Sequence, residues 1–90
     1  MTGIAGIKIQ IMPTSPEVNL KEIEIKTKKL VEDSGGRNRT YEIEPIAFGL
    51  KAIIAFFEWP EEKSLEEFEE KLKSIENINS IKVIDMRKIA

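Results

Sequence analysis

The stretch Gly49–Glu58, GLKAIIAFFE, decides the fold because it is apolar at almost every position. A strand with one face in solvent alternates apolar and polar residues, whereas a strand covered on both faces reads as a continuous apolar run. This segment is therefore predicted to be a central strand of a sheet. Phe56 and Phe57 are adjacent in it and must point to opposite faces, so at most one of them belongs to the core.

Three further strands are predicted from the alternation of apolar and polar residues, over Gly6–Met12, Thr40–Glu44 and Ser80–Met86. The first of them is followed by Pro13 and Pro16, neither of which can donate a hydrogen bond to a strand ladder. The segment Trp59–Lys63 is predicted to be a loop.

Two amphipathic helices separate these strands. The first begins after Asn19 and the second after Ser64, each with a glutamate three residues later, as in a capping box. The first is expected to stop near Glu32, before Gly35-Gly36. Glutamate–lysine pairs four residues apart are expected on the outer faces of the helices: Glu22–Lys26, Glu24–Lys28, Glu67–Lys71 and Glu69–Lys73.

The element order is thus βαββαβ in a single domain over residues 1–90. Two right-handed crossovers with both helices on one face give a ferredoxin-like, two-layer α+β sandwich. The predicted sheet is antiparallel, with the strand order 4-1-3-2.

The amino-acid composition excludes several kinds of catalytic and metal-binding site. The 90 residues contain neither cysteine nor histidine, which excludes a thiolate nucleophile, a disulfide, a Cys/His zinc site and an imidazole base. A net charge of −2 with both signs interspersed argues against direct binding of nucleic acid. No apolar run is long enough to span a membrane and no secretory signal is recognisable, so a cytoplasmic location is expected.

Other functions of this topology fit the residues poorly. An acylphosphatase-like enzyme needs an anion-binding loop after the first strand, but Pro13–Pro16 contains neither glycine nor arginine. An RNA-recognition motif needs aromatic residues on its first strand, and Gly6–Met12 has none. Gly35-Gly36 follows a helix, so we interpret it as a helix stop instead of a phosphate loop. The many glutamates have no spacing diagnostic of catalysis or of metal binding, and we expect neither a cofactor nor a metal.

Two short segments carry a resemblance to a known family. The sequence Pro45-Ile46-Ala47-Phe48-Gly49-Leu50-Lys51 and the end Lys88-Ile89-Ala90 resemble the guanine-nucleotide-exchange domain of the translation elongation factor 1-beta family, in its short archaeal form. That family has a Pro-x-x-aromatic-Gly-hydrophobic-Lys segment and ends in a lysine followed by a large aliphatic residue. Here Ala90 follows Ile89, so the lysine is third from the end instead of second.

The resemblance implies an exchange factor without covalent chemistry of its own, acting on the GTPase elongation factor 1-alpha. The partner would bind the nucleotide and magnesium. The implied partner-binding residues are Phe48, Gly49, Lys88 and Ile89, with Arg87 as a substitute for Lys88 should the additional alanine displace it. Without the resemblance, physical chemistry does not decide whether Phe48 is an exposed contact residue or packs in the ordinary way. Lys88 would then be interpreted as a solvated charge.

The expected arrangement is one of two separate anchors. In the 4-1-3-2 sheet Phe48 and Lys88 lie toward opposite ends, on the order of 15 Å apart. The exchange factor is expected to be a monomer when free. The alternative function is a ferredoxin-like oligomeric interaction domain or small-ligand regulatory domain, which predicts a dimer with the ligand at the subunit interface.

Overall fold

The computed structural model describes residues 3–90 and has the expected topology. Four strands form one antiparallel sheet in the spatial order β2-β3-β1-β4, which is the predicted order 4-1-3-2 viewed from the other edge. The ferredoxin-like fold is confirmed. The elements are β1 (Ile4–Pro13), α1 (Leu20–Asp33), β2 (Arg37–Ala47), β3 (Leu50–Pro60), α2 (Leu65–Lys73) and β4 (Ile78–Lys88).

All four strands are longer than their alternation patterns predicted, and the loop expected at Trp59–Lys63 begins too early. Trp59 and Pro60 belong to β3, where Trp59 pairs with Ala5 and Pro60 with Ile4. Trp59 is buried, and its indole N–H donates a 3.1 Å hydrogen bond to the carbonyl of Lys63. A tryptophan that is buried and hydrogen-bonded extends the strand to the proline, which can end a strand but cannot continue the ladder.

The core lies between the sheet and the two helices. Ile7, Ile9 and Ile11 of β1 point toward the helices, as their alternation predicted, and all three are buried. Phe57, Trp59 and Phe68 form an aromatic cluster with ring centroids 5.1 to 6.1 Å apart. This cluster joins β3 to α2, and burying each ring contributes stability in proportion to the apolar area removed from water.

The two adjacent phenylalanines of β3 face opposite sides, as predicted. Phe57 is in the core, whereas Phe56 lies on the sheet face away from the helices, which we call the open face. There the ammonium of Lys8 lies 5.6 Å from the Phe56 ring centroid. An exposed cation–π contact of this kind contributes about 0.5–1 kcal/mol.

The helix ends and surface pairs follow the sequence only in part. Asn19 caps α1 by accepting a 3.0 Å hydrogen bond from the Lys21 amide, but Ser64 makes no side-chain cap. Of the four predicted ion pairs, Glu24–Lys28 forms at 2.9 Å, and the other three are not among the salt bridges within residues 3–90. Exposed pairs gain little over separately solvated side chains, so rotamer freedom decides against them.

Gly35-Gly36 ends the first helix, in agreement with the helix-stop interpretation. Gly35 has a φ of 93°, which favours glycine, and the Gly36 amide donates to the carbonyl of Val31. Arg39, which follows this loop, pairs with Glu58 across the open face at 3.0 Å. Its charge is therefore directed toward a carboxylate of the same sheet.

Two irregularities of the sheet position the functional candidates. The β1–β3 pairing stops at Ile11–Ile53, so the end of the β2–β3 hairpin continues beyond it as a two-stranded ribbon. The molecule is accordingly elongated, with extents of 45 × 20 × 18 Å. In the β1–β4 pairing, Lys8 faces Asp85 but Ile9 faces Val83, so Ile84 is an additional residue in a β-bulge.

Candidate partner-binding surfaces

The first candidate surface is the tip of the β2–β3 hairpin. Ala47 pairs with Leu50, which leaves a two-residue turn made of Phe48 and Gly49. Both have positive φ, 53° for Phe48 and 78° for Gly49. Positive φ at both central positions is the type I′ turn, whose twist matches that of the flanking strands.

Phe48 is an unfavourable residue for this turn on two counts. The left-handed backbone costs an L-residue with a Cβ about 1–2 kcal/mol, and type I′ turns normally have Asn, Asp or Gly there. The side chain is also fully exposed, at 101% of the reference accessibility. Neither packing nor backbone preference explains the phenylalanine, so folding is not the reason for its presence.

Backbone conformation, and not a close contact, explains the glycine at position 49. A Cβ at this position would meet no atom within 4 Å, so nothing within the chain approaches it closely. Its φ of 78° is the constraint. Ile46, just before the turn, is also exposed and lies where the β2–β3 register shifts, which adds apolar surface beside Phe48.

The second candidate surface is the C-terminal end of β4. Lys88 pairs with Ala5, and the chain remains paired to its last residue. The Ile89 amide donates to the carbonyl of Ile4 at 2.9 Å, and the Ile4 amide donates to the carbonyl of Ala90 at 2.7 Å. The C-terminal residues therefore continue the sheet instead of forming a loose tail.

Lys88 and Arg87 lie on opposite faces of the sheet. Arg87 pairs with Gly6 on the open face, where Oδ2 of Asp85 accepts a 3.1 Å hydrogen bond from its Nε and lies 2.8 Å from its Nη2 in an ion pair. Lys88 points to the helix side, like its buried partner Ala5. Its ammonium is 3.9 Å from a Glu61 oxygen and the side chain is 71% exposed. The Arg87 side chain is equally exposed, at 70%, so Lys88 is the more available cation only because its ionic contact is the longer one.

Beside Lys88 the helix layer leaves a shallow groove of about 320 Å³ uncovered. Its apolar lining consists of Ala5, Ile7, Trp59, Leu65 and Met86, and its charged lining consists of Glu61, Lys63, Arg87 and Lys88. Met86 is 58% exposed although it points to the same side as the buried residues of β1. The second surface thus combines an available ammonium with an adjoining groove that is apolar in part.

The two candidate surfaces lie at opposite ends of the long axis. Lys88 is level with Trp59 across β1, and Phe48 precedes Trp59 by eleven residues along β3. At ~3.3 Å per residue, the separation is on the order of 35 Å. The expected opposite placement is found, but the expected distance of about 15 Å is too short, because the hairpin ribbon extends past the end of β1.

The described residues offer little else of chemical interest. Within residues 3–90, no three His, Cys, Asp or Glu side chains are grouped so as to bind a metal ion. In the same part of the chain, no helix has both the length and the apolar character needed to cross a bilayer. Tyr41 has a raised pKa, caused mainly by burial and also by the nearby Glu24 and Glu32, and its hydroxyl contacts Asn38. This cluster joins β2 to α1.

Two solved structures share this fold but have very different sequences. The C-terminal domain of the MgtC protein from Mycobacterium tuberculosis superposes with a TM-score of 0.71 at 9% identity, covering 97% of this chain and 89% of that domain. The ACT domain from the GTP pyrophosphokinase of Chlorobium tepidum gives 0.61 at 13% identity, covering 93% of this chain and all of that one. These likenesses show the fold alone.

Sequence comparison identifies the family. Residues 6–89 match the model of the EF-1 guanine nucleotide exchange domain. Elongation factor 1-beta of Pyrococcus horikoshii is 40% identical over 97% of this chain and 96% of its own length, and that of Methanococcus aeolicus is 38% identical over 93% and 96%. Elongation factor 1-beta of Nanoarchaeum equitans is 39% identical over 84% and 94%. This chain therefore belongs to the elongation factor 1-beta family of translation factors.

Proposed function

We propose that this chain promotes GDP release and GTP loading on elongation factor 1-alpha, the GTPase that delivers aminoacyl-tRNA to the ribosome. Family membership indicates nucleotide exchange in translation elongation, and the proposal adds the partner and the contacts. The observation that carries it is Phe48, a fully exposed aromatic in a left-handed turn. Such a residue is costly to the free protein and suits an interface anchor, because buried aromatic side chains supply much of the binding energy of interfaces.

Lys88 acts at the nucleotide site of the partner in this proposal. A GTPase holds GDP through a phosphate-cradling loop and Mg²⁺. A compact ammonium brought near the metal position disfavours the divalent ion and can pair with the carboxylates and phosphates that it leaves. The weak 3.9 Å contact with Glu61 lets Lys88 exchange that carboxylate for a partner group at little cost.

The geometry favours Lys88 over Arg87 for this role. Arg87 would have to give up the contacts of its Nε and Nη2 atoms with Oδ2 of Asp85, whereas the Lys88 ammonium has only the 3.9 Å contact with Glu61. Ile89 supports Lys88 from the opposite face, and Phe48 with Gly49 forms the distant anchor. A surface with two contacts about 35 Å apart fits a large protein partner better than a small ligand.

The exchange factor forms no covalent bond and needs no cofactor of its own, since nucleotide and magnesium belong to the GTPase. It lowers the barrier to nucleotide release by binding the nucleotide-free state well, and cellular GTP and GDP levels then decide which nucleotide is loaded. We expect it to act as a monomer in the cytoplasm, without direct contact to nucleic acid.

The test is the release of fluorescently labelled GDP from elongation factor 1-alpha of the same organism, in the presence of excess unlabelled GDP. Catalytic amounts of this chain should accelerate release, and excess magnesium should reduce the acceleration. A variant carrying both Phe48→Ala and Lys88→Ala, with an unchanged circular dichroism spectrum, is the matched control. Equal release with and without the parent protein would overturn the proposal.

A further inference from the structure

The packing of the C-terminal residues against the sheet gives Ile89 a role that its exposure does not suggest. Ile89 is 47% exposed, yet its side chain lies over Gly6 on the open face. A Cβ on Gly6 would come within 3.6 Å of both Cδ1 and Cγ2 of Ile89, and within 3.2 Å of the Phe56 ring. The Ile89 distances are ordinary van der Waals contacts and the Phe56 distance is a tight one, so the Ile89 side chain packs over Gly6 beside the Phe56 ring, at a position that we call the notch of Gly6 and Phe56.

We propose that Ile89, seated in the notch of Gly6 and Phe56, is the positioning residue that fixes Lys88 on the opposite face of the sheet. This inference rests on the proposed function. Side chains of consecutive strand residues point to opposite faces, so holding Ile89 against the open face directs Lys88 toward the helix side. The backbone hydrogen bonds of Ile4 with Ile89 and Ala90 add to this packing. We call the packing of Ile89 over Gly6 and Phe56, together with these hydrogen bonds, the seat of Ile89.

The seat is needed because the last paired residues of an edge strand fray unless side-chain packing holds them. The hydrogen bonds at Ile4 lie at an edge open to water and have a low free energy of local opening by themselves. On the helix side, Lys88 has only the 3.9 Å contact with Glu61, an exposed pair of small value. Apolar contact with Gly6 and Phe56 is thus the main restraint on the direction in which Lys88 points.

Gly6 is the complementary half of the seat. Glycine inside a strand is ordinarily unfavourable, so replacing it would stabilise the strand if the side chain had room. Here a Cβ would press on the Phe56 ring at 3.2 Å and stand in ordinary contact with Ile89 at 3.6 Å, so the additional γ-methyl groups of a valine are expected to displace Phe56 or Ile89. Gly6→Val is therefore expected to loosen the C-terminal segment even though valine is a good strand former.

The first arm of the test measures amide hydrogen exchange of residues 88–90 by NMR, without any partner. Ile89→Ala and Gly6→Val should accelerate exchange of the Ile89 amide by roughly five- to tenfold, while Ile89→Leu should restore protection. The matched control is Ile84→Ala, which truncates an isoleucine of similar exposure, 44%, earlier in the same C-terminal segment. Unchanged protection in Ile89→Ala, or an equal loss in Ile84→Ala, would overturn the proposal.

The second arm measures labelled GDP release from elongation factor 1-alpha. Ile89→Ala should lower the maximal rate of stimulated release on the order of tenfold, since a small misplacement of an acting group is costly, with rescue in Ile89→Leu. Glu61→Gln, which removes the ionic contact but leaves the seat, should change the rate by less than about twofold. If the parent does not stimulate release, the proposed function fails and the first arm still decides the seat. Full maximal rate in Ile89→Ala would also overturn the positioning role.

Discussion

The two ends of this molecule present their candidate residues in opposite ways. At the hairpin tip, Phe48 projects from a two-stranded ribbon with no third strand beside it, in a backbone conformation that its side chain disfavours. At the other end, Lys88 belongs to a segment held by hydrogen bonds, by a contact with Glu61 and by the packing of Ile89 over Gly6. The hairpin tip thus offers bare apolar area, and the C-terminal end offers a charge with a defined direction.

The difference suggests different tasks. Apolar area contributes affinity in proportion to burial and tolerates small displacements. A charge that acts on a metal site has to arrive within a few tenths of an ångström of its place, because electrostatic effects in a closed site depend steeply on position. We expect the tip to determine how tightly the partner binds and the C-terminal end to determine how fast nucleotide leaves.

The largest effect is expected for Lys88→Ala. Losing the acting charge should lower the maximal rate of stimulated GDP release by roughly a hundredfold, with little change in the melting temperature, since Lys88 is largely exposed. Stopped-flow release of labelled GDP measures it. Arg87→Ala is the control and should keep most of the rate. A greater loss in Arg87→Ala than in Lys88→Ala would assign the acting cation to the other face of the sheet.

The second largest effect is expected for Phe48→Ala, and it should appear in the affinity for the partner instead of in the maximal release rate. Loss of an interface anchor is worth about 2 kcal/mol, which is roughly a thirtyfold weaker binding of elongation factor 1-alpha, with the maximal release rate retained at saturation. Stability should not fall, whereas truncating a core phenylalanine costs about 3–5 kcal/mol. Calorimetric titration and thermal melting test both parts. A large drop in melting temperature would place Phe48 in the core.

Salt should change the stimulated rate of GDP release by a factor of a few, and the change should depend on Lys88 and not on Phe48. Raising ionic strength screens the Lys88 charge but leaves apolar contact at Phe48 almost unaffected. The stimulated rate of Phe48→Ala, measured at saturation, should therefore fall with salt as steeply as that of the parent, and the residual rate of Lys88→Ala should fall less. Parallel salt dependences in all three proteins would contradict a division of labour between the ends.

The smallest effect concerns the turn itself. Phe48→Asn places a residue suited to the left-handed region in the type I′ turn and should raise the free energy of unfolding by about 1 kcal/mol. Chemical denaturation measures this gain, and binding of the GTPase should be weakened as in Phe48→Ala. If the Phe48→Asn variant had no higher free energy of unfolding than the Phe48→Ala variant, the backbone at Phe48 would carry no strain.

The sequence predicted the topology well because its strongest signals are those that decide topology. The apolar run of β3 and the alternating isoleucines of β1 identified the two central strands, and Asn19 and Gly35 marked the limits of α1. Strand ends were predicted poorly. Arg37 and Pro60 read as loop residues, and only pairing with a neighbouring strand keeps them in the sheet.

For the candidate surfaces, family resemblance and physics contributed different things. The resemblance selected Phe48 and Lys88, but neither the left-handed backbone of Phe48 nor the opposite facing of Arg87 and Lys88 could be read from the residues. Aromatic residues rarely occupy type I′ turns, so no propensity predicts one. The facing of Arg87 and Lys88 depends on the bulge at Ile84, which no alternation pattern reveals. The role inferred for Gly6 was missed because glycine in a strand looks merely permissive.

The bulge at Ile84 has a consequence for the evolution and engineering of this chain. In a regular strand, residues an odd number of positions apart point to opposite faces, so Val83 and Lys88 could not both face the helices. Val83 and Lys88 both face the helices because Ile84 is an additional residue in β4, which reverses the facing of the residues that follow it. If β4 paired without the bulge, Arg87 would take the helix side and Lys88 the open side. A one-residue insertion between Asp85 and Arg87, or deletion of Met86, would exchange the faces of the two cations, and so change which of them a partner meets without altering a single charge.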